Sequence, residues 1–192
     1  MRTKGFRSIN VKSDAVILHL DGDIKYARKA YNYYNSLNIK AVIKNIAESR
    51  QPEEIRMLLN RYKPDILVST GHDLMIKKGQ GLYNMNNYKN SKYFVKVVKE
   101  ARKWNPDQEE LIIFAGACES FYEAIISEGA NFASSPERIM IDYKEPLIVA
   151  SMIALTPNDR YIGINDIIPK LTSGNRGIGG GVVKGRCNKN VK

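Results

Sequence analysis

The chain has 192 residues, the length of one ordinary domain with a sizeable core. Its formal net charge is +10, but no basic run is interleaved with stacking aromatic residues, so we predict a solvated basic surface and no nucleic-acid binding. Two cysteines are too few for a disulfide framework, which favours a reducing, intracellular compartment. No apolar run reaches about 18 residues and no signal-peptide core is present, so we expect neither a membrane span nor secretion by that route.

The first two thirds of the chain predict four strands that alternate with four helices. The strands are short apolar runs, whereas the helices carry apolar residues at helical spacing. The predicted strands cover 14–20, 39–44, 65–70 and 111–117, and the predicted helices cover 24–37, 51–62, 91–104 and 119–129. Strands that are apolar on both faces and alternate with helices indicate an α/β fold with a mostly parallel, doubly wound sheet.

The last third of the chain is less regular. We predict a fifth strand at 131–135, a short sixth strand at 138–143 and a helix at 145–156 that ends before Pro157. Residues 174–192 hold six glycines and a basic end, which predicts a flexible tail or flap. The sequence therefore predicts one folded domain over 1–173, followed by a Gly-rich basic tail over 174–192.

Reactive side chains follow three of the predicted strands. His19, Asp21 and Asp23 lie at the end of the first strand, His72 follows the third, and Cys118 follows the fourth. Ligands of open parallel sheets gather at the carboxyl ends of strands. If the third and fourth strands are neighbours, His72 and Cys118 face each other across about 5 Å.

The surroundings of Cys118 favour a catalytic role over a purely structural one. A single cysteine at a strand end is more often a small buried apolar residue. Here Gly116 and Ala117 leave room for a substrate, and the predicted helix from Glu119 lowers a thiol pKa and offers free N–H groups to an oxyanion. Together with His72, these features predict a Cys-His hydrolase site.

The order of strand, GHD, helix, strand and GACES resembles that of the caspase-like cysteine peptidases. A closer resemblance is to the YabG family, the sporulation-specific cysteine peptidases of endospore-forming bacteria. The segments that carry it are HLDGD at 19–23, STGHD at 69–73, YNMNNYKNSKYFVKVVKEAR at 83–102 and IFAGACESFYEAI at 113–125. The resemblance implies a caspase-like or flavodoxin-like three-layer sandwich with the catalytic domain over 1–173, and it implies no cofactor and no metal.

The resemblance also implies an activity. Cys118 is then the nucleophile of a cysteine endopeptidase, and His72 is its general base and then its acid. The implied substrates are spore coat and cortex-related proteins, cut after basic residues and chiefly after arginine. The implied location is the mother-cell cytoplasm of the sporulating bacterium, at the forming coat. Members of the family usually carry an additional N-terminal region, so we expect this chain to be a catalytic part.

Caspase-like enzymes commonly place glycine directly after the catalytic histidine, where its N–H helps to form the oxyanion hole. In this chain Gly71 precedes His72 and Asp73 follows it. We therefore expect the hole to form from the Cys118 amide and backbone of Gly71, Asp73 and Gly116. Since consecutive residues of an extended segment point in opposite directions, Asp73 is not expected to orient His72.

Asp21 is the first candidate for substrate binding, because a carboxylate near the site pairs with an arginine side chain in a bidentate manner. The alternative for such a residue is to cap the following helix, for which Asp23 is better placed. Glu119 is a further candidate for substrate contact. The long polar loop over 77–90 is either a lid or a simple exposed connection.

Three other functions remain open at this point. A metal-dependent hydrolase or a phosphoaspartate hydrolase would use His19, Asp21 and Asp23, although this pattern is only a loose match to any metal site. A non-enzymatic alternative is a basic α/β module that docks on acidic partners. Cys187 lies in the basic tail, and we assign it no catalytic role.

Overall fold

A computed structural model describes residues 13–188 of the chain, so the extreme end of the predicted tail lies outside the described residues. The strands are β1 Ser13–Asp21, β2 Ile39–Asn45, β3 Ile66–Thr70, β4 Ile112–Ala115, β5 Phe132–Ser134, β6 Tyr161–Gly163, β7 Ile178–Gly180 and β8 Val182–Lys184. The helices are α1 Ile24–Ser36, α2 Gln51–Tyr62, α3 Ser91–Trp104, α4 Tyr122–Ser127, α5 Lys144–Leu155 and α6 Ile164–Ile167. Helices α2 and α3 have the predicted bounds.

Six strands form one sheet in the order β2-β1-β3-β4-β5-β7. The first five are parallel and β7 is antiparallel to β5, while β6 and β8 form a separate antiparallel pair. Alternate residues of β1 face opposite cores: Ile17 packs with α1 and α5, and Leu18 packs with α2 and α3. The predicted three-layer α/β fold with a mostly parallel sheet is therefore confirmed.

Strands β3 and β4 are neighbours in the sheet, as predicted. Ser69 pairs with Ala115 near the carboxyl ends of the two strands. The segments that carry His72 and Cys118 therefore leave the sheet side by side.

The helix predicted from Glu119 begins later, at Tyr122. Gly116 has a φ of 106° and Glu119 a φ of 56°, and both values lie outside the helical range. In addition, the Ala117 amide donates to the Ser120 hydroxyl at 2.9 Å. These contacts hold 116–121 as a turn, so the prediction of a helix from Glu119 is wrong.

The structure differs from the sequence prediction at two other segments. Residues 138–143 do not form a strand but run without a regular ladder beside Cys118. The segment predicted as a flexible tail instead contributes β7 and β8. A Cβ at Gly180 would lie 2.2 Å from the Phe132 ring, so glycine permits the close pairing of β7 with β5.

Among residues 13–188, no helix has both the length and the apolar character needed to cross a membrane.

Candidate active site

A cavity of about 130 Å³ opens at the carboxyl ends of β1, β3 and β4. Residues from several parts of the sequence line it, including Asp21, Tyr26, Gly71, His72, Cys118, Ile141 and Tyr143. The rule that ligands gather at this edge of a parallel sheet thus leads to one concave site. It brings together three of the residues singled out in the sequence, Asp21, His72 and Cys118.

Cys118 is half-buried and contacts the segment that follows β5. Its Sγ accepts a hydrogen bond from the Ile141 amide at 3.4 Å and lies 3.8 Å from the Ile141 carbonyl oxygen. Burial raises the pKa of the Cys118 thiol above its ordinary value, although the contact with Ile141 opposes this effect. The predicted lowering of the thiol pKa by a helix is therefore wrong, because α4 begins only at Tyr122.

His72 lies at the rim of the cavity with 60% of its side chain exposed. Its Nε2 is 3.0 Å from Asp23 Oδ2, and its ring packs edge-on against Tyr26 with 5.8 Å between the centroids. Among the contacts of residues 13–188, the imidazole makes no hydrogen bond to the Cys118 thiol. His72 and Cys118 therefore share a cavity without forming a direct hydrogen-bonded pair.

Asp23 has two functions in this arrangement. Its Oδ1 accepts a hydrogen bond from the Lys25 amide at 2.7 Å, which caps α1 as predicted. Its Oδ2 binds His72, a contact that sequence reasoning missed. The hydrogen bond from His72 lowers the pKa of the Asp23 carboxyl, so Asp23 is a carboxylate at neutral pH.

Glu48 fixes the backbone of His72. Its Oε1 accepts the His72 amide at 2.7 Å. A Cβ at Gly22 or Gly71 would lie 2.2 Å or 2.3 Å from this oxygen, so a side chain at either position would displace the carboxylate from the His72 amide. Sequence reasoning missed Glu48, although it lies beyond the carboxyl end of β2, where the same rule for open sheets applies.

Asp73 joins the loop that carries His72 to the turn that carries Cys118. Its Oδ1 accepts the amides of Leu74 and Asn90, and its Oδ2 accepts the hydroxyls of Ser91 and Ser120. Burial raises the pKa of the Asp73 carboxyl, although these four donors oppose the shift.

The two serine hydroxyls in turn accept amides of the Cys118 turn. Ser120 Oγ accepts the Ala117 amide at 2.9 Å, and Ser91 Oγ accepts the Phe121 amide at 2.8 Å. Each hydroxyl is therefore a donor to Asp73 and an acceptor from the turn. This network fixes the turn on both sides of Cys118.

The backbone amides near the cavity differ in their availability. The amides of His72 and Gly116 are already used, the first by Glu48 and the second by the Ser69 carbonyl at 3.0 Å. Those of Gly71, Asp73 and Cys118 donate to no other residue within the described part of the chain. Gly116 is needed for another reason, since a Cβ there would lie 2.7 Å from the Ser134 carbonyl oxygen.

Asp21 supplies a buried carboxylate to the cavity. It is 5% exposed, and its Oδ1 accepts the Asp23 amide at 2.8 Å. The rings of Tyr26 and Tyr143 stack with 5.4 Å between centroids and also line the cavity. The Lys29 ammonium lies 4.1 Å from the Tyr143 centroid and 5.4 Å from the Tyr26 centroid, so the Asp21 carboxylate is the feature of this cavity that suits a guanidinium group.

Glu119 does not line this cavity. Its carboxylate accepts the Lys78 ammonium at 2.7 Å and the Met75 amide at 3.1 Å, which fastens the polar loop to the Cys118 turn. That loop is itself braced by Asn87, whose side chain binds the amide and carbonyl of Lys77. Glu119 is thus engaged in holding the loop.

The metal alternative required three or more ligands that converge. No group of three or more His, Cys, Asp or Glu side chains within 13–188 has this arrangement. His19 Nδ1 is instead 3.1 Å from the Tyr34 hydroxyl. Cys187 is 1% exposed, and it does not line the cavity.

Comparison with known proteins places the chain in a family. The family model of the YabG peptidase U57 matches residues 3–192. The sporulation-specific protease YabG of Bacillus subtilis (strain 168) is 40% identical over 164 residues, which is 85% of this chain and 57% of that protein. The chain thus spans less than two thirds of the length of this relative.

Among solved structures, a fusion that contains a yeast Spc42 trimeric coiled-coil segment gives a TM-score of 0.41 at 14% identity. It covers 72% of this chain and 78% of that chain, a likeness too distant to carry an argument. The match over nearly the whole length confirms the family inferred from the sequence motifs: the chain belongs to the YabG peptidase U57 family.

Proposed function

We propose that this chain is the catalytic part of a cysteine endopeptidase that acts in sporulation, with Cys118 as nucleophile and His72 as general base and then acid. The observation that carries the proposal is that both side chains line one cavity at the carboxyl ends of adjacent parallel strands. Membership of a peptidase family and similarity to a sporulation-specific protease support it.

The first chemical step is proton transfer from Cys118. Its thiol is neutral at rest because burial raises its pKa, so a base must take the proton as the sulfur attacks the scissile carbonyl. His72 Nε2 is engaged with Asp23, which leaves Nδ1 as the nitrogen for this transfer. Because no hydrogen bond joins the two side chains in this arrangement, we expect the imidazole to turn toward the sulfur when substrate binds.

The later steps use the same imidazole. His72 donates its proton to the departing amine, and the peptide bond breaks to leave an acyl group on Cys118. Water then attacks this thioester while His72 removes its proton, and the thiol is restored. Asp23 stabilises the imidazolium that forms between these steps.

The oxyanion hole is assigned to backbone amides without another partner. The amides of Cys118 and Asp73 fulfil this condition, and the Gly71 amide lies on the same rim. They follow β4 and β3, so they approach the reacting carbonyl from neighbouring strands. The Gly116 amide is excluded from this function because Ser69 already accepts it.

Substrate recognition is assigned to Asp21. A carboxylate that is 5% exposed in this cavity favours a cation, and a guanidinium can bind both of its oxygens at once. We therefore propose cleavage after arginine, with spore coat and cortex-related proteins as substrates in the mother cell. Glu119 is not included, because Lys78 already neutralises it.

A quenched fluorescent peptide with a single arginine tests the proposal. We expect the wild-type chain to cut it after arginine, and we expect Cys118→Ala and His72→Ala to abolish cleavage while the variants remain folded by circular dichroism. Cys187→Ser is the matched control and should retain activity. Cleavage that survives Cys118→Ala would exclude Cys118 as the nucleophile.

A further inference from the structure

A chain of three buried side chains lies beside the cavity. The Tyr34 hydroxyl is 3.1 Å from His19 Nδ1, and His19 Nε2 is 3.7 Å from Asp21 Oδ2. Tyr34 and His19 are each 1% exposed, and of the three only Asp21 lines the cavity. The mechanism described above uses neither Tyr34 nor His19.

The direction of the first hydrogen bond follows from the burial of Tyr34. Burial raises the pKa of this phenol well above its ordinary value, so its O–H keeps its proton and needs an acceptor. His19 Nδ1 is the acceptor within reach. An imidazole that accepts at Nδ1 carries its own proton at Nε2, so the N–H of His19 is directed toward Asp21.

This N–H has no hydrogen-bond acceptor among residues 13–188. His19 Nε2 is buried and makes no hydrogen bond within the described residues. Its nearest acidic oxygen, Asp21 Oδ2, lies at 3.7 Å, while the other oxygen of Asp21 is held by the Asp23 amide at 2.8 Å. A buried donor without an acceptor is costly, and a small rotation of the Asp21 carboxylate would satisfy it.

We propose that His19, oriented by Tyr34, is a positioning residue that fixes the plane of the Asp21 carboxylate for bidentate binding of a substrate guanidinium. The inference rests on the proposed function, since it concerns the arginine pocket of that peptidase. Oδ1 is held by the Asp23 amide, and a small rotation would bring Oδ2, now 3.7 Å from His19 Nε2, within reach of the His19 N–H, which leaves an acceptor direction on each oxygen for the guanidinium.

The expected consequence is a preference for arginine over lysine. A guanidinium needs two coplanar oxygens, whereas an ammonium binds a carboxylate in almost any orientation. Loss of the His19 N–H should therefore impair peptides with arginine more than peptides with lysine. It should act mainly on KM, because the Cys118 and His72 side chains are untouched.

Two amide substitutions separate the two nitrogens of His19. In His19→Asn the side-chain amide lies near the former position of Nδ1, so it can still bind Tyr34 but offers no donor to Asp21. His19→Gln reaches the position of Nε2 and can restore that donor. With peptides that differ only in arginine or lysine, we expect His19→Asn to lower the ratio of their kcat/KM values about 10-fold and His19→Gln to recover most of it.

Tyr34→Phe is the second test, because it removes one buried oxygen without changing the size of the ring. We expect it to lower the ratio as well. Without the Tyr34 hydroxyl, the proton of the His19 imidazole can lie on Nδ1 instead of Nε2. Tyr88→Phe is the matched control: it also removes the hydroxyl of a buried tyrosine, but that hydroxyl binds Leu82 and Arg138 rather than His19. The ratio should be unchanged in this control.

The outcomes separate the two proposals. If Asp21→Asn lowers kcat/KM on the arginine peptide but neither His19→Asn nor Tyr34→Phe lowers the ratio, the function of His19 is overturned and the arginine pocket stands. If His19→Asn does not fold, an unchanged ratio in Tyr34→Phe overturns the inference. If Asp21→Asn leaves kcat/KM on the arginine peptide unchanged, or if wild type cuts neither peptide, the proposed pocket fails and the inference fails with it.

Discussion

His72 Nε2 lies 3.0 Å from Asp23 Oδ2, and the other oxygen of the same carboxylate caps α1. The first turn of a helix thus anchors the side chain proposed as the catalytic base. Since one ring nitrogen is occupied by Asp23, the other is defined as the nitrogen for proton transfer.

Substitutions of Asp23 should separate capping from orientation of the imidazole. Asp23→Ser keeps a good N-cap but is too short to reach His72, so we expect kcat to fall about 10- to 100-fold with little loss of stability. In Asp23→Asn the NH₂ group must face either the Lys25 amide or His72 Nε2. If it faces Nε2, it favours the tautomer of His72 that carries its proton on Nδ1, which cannot then accept the proton of Cys118. We therefore expect Asn to be no better than Ser.

The measurement for Asp23 is kcat on the arginine peptide together with thermal unfolding. Asp23→Ala is the control for loss of the cap and should unfold about 1 kcal/mol more easily than the serine variant. Equal kcat in wild type, Asp23→Ser and Asp23→Asn would show that Asp23 does not orient His72.

The Asp73 side chain should contribute strongly to stability, although we assign it no part in the chemistry. Asp73→Asn replaces one carboxylate oxygen with an NH₂ group. Since each oxygen of Asp73 accepts two hydrogen bonds, this NH₂ group must face two donors of the protein. We expect a loss of about 2 kcal/mol in the free energy of unfolding. Activity should fall as well, because the network holds the Cys118 turn.

Chemical denaturation of the Asp73 variant measures this effect. Asp107→Asn is a suitable control, because Asp107 is exposed and uses only Oδ1 in its hydrogen bonds to backbone amides. A stability of Asp73→Asn equal to that of the control would mean that the network contributes nothing.

The pH dependence of Cys118 alkylation follows from its burial. Burial disfavours the thiolate, so the pKa of the folded protein lies above the ordinary value of 9.0. The thiolate fraction at neutral pH is then smaller than in the unfolded chain, and the rate should still rise as pH increases past that value. The associated stabilisation of the folded state is present at lower pH and is lost as pH rises through the folded pKa.

Iodoacetamide labelling with peptide mapping measures this profile separately for Cys118 and Cys187. The same protein in denaturant supplies the reference profile of an exposed thiol. A midpoint for folded Cys118 below that of the denatured chain would contradict the expected direction.

Removal of the Asp21 charge should abolish discrimination in favour of cationic residues. For Asp21→Asn we expect kcat/KM on an arginine peptide to fall about 100-fold, while a citrulline peptide of similar shape is affected little. Asp142→Asn is the matched control, because Asp142 lies in the segment 138–143 beside Cys118 but does not line the cavity. An unchanged ratio of arginine to citrulline cleavage would place recognition elsewhere.

The sequence predicted the parts of the site that depend on topology. Apolar strands alternating with helices led to a parallel sheet, and the carboxyl-end rule then brought Asp21, His72 and Cys118 to one cavity. These predictions depend only on which strands are neighbours. They are insensitive to errors of a few residues in the bounds of a helix.

The missed features depend on tertiary contacts. The sequence from Glu119 has helical spacing, but the contacts of Ser91 and Ser120 with Asp73 hold its first residues as a turn. The pairing of Asp23 with His72 joins residues 49 positions apart and depends on side-chain direction. The glycines of β7 suggested flexibility, whereas they permit close strand pairing.

We propose Cys118 as the nucleophile of an arginine-directed peptidase. The most direct test is mass spectrometry of the chain after incubation with a peptidyl-arginyl acyloxymethyl ketone, which alkylates an attacking thiol. We predict one adduct, mapped to Cys118 and greatly reduced in His72→Ala and Asp21→Asn. An adduct on Cys187, or labelling of Cys118 that is equal in wild type and both variants, would contradict it.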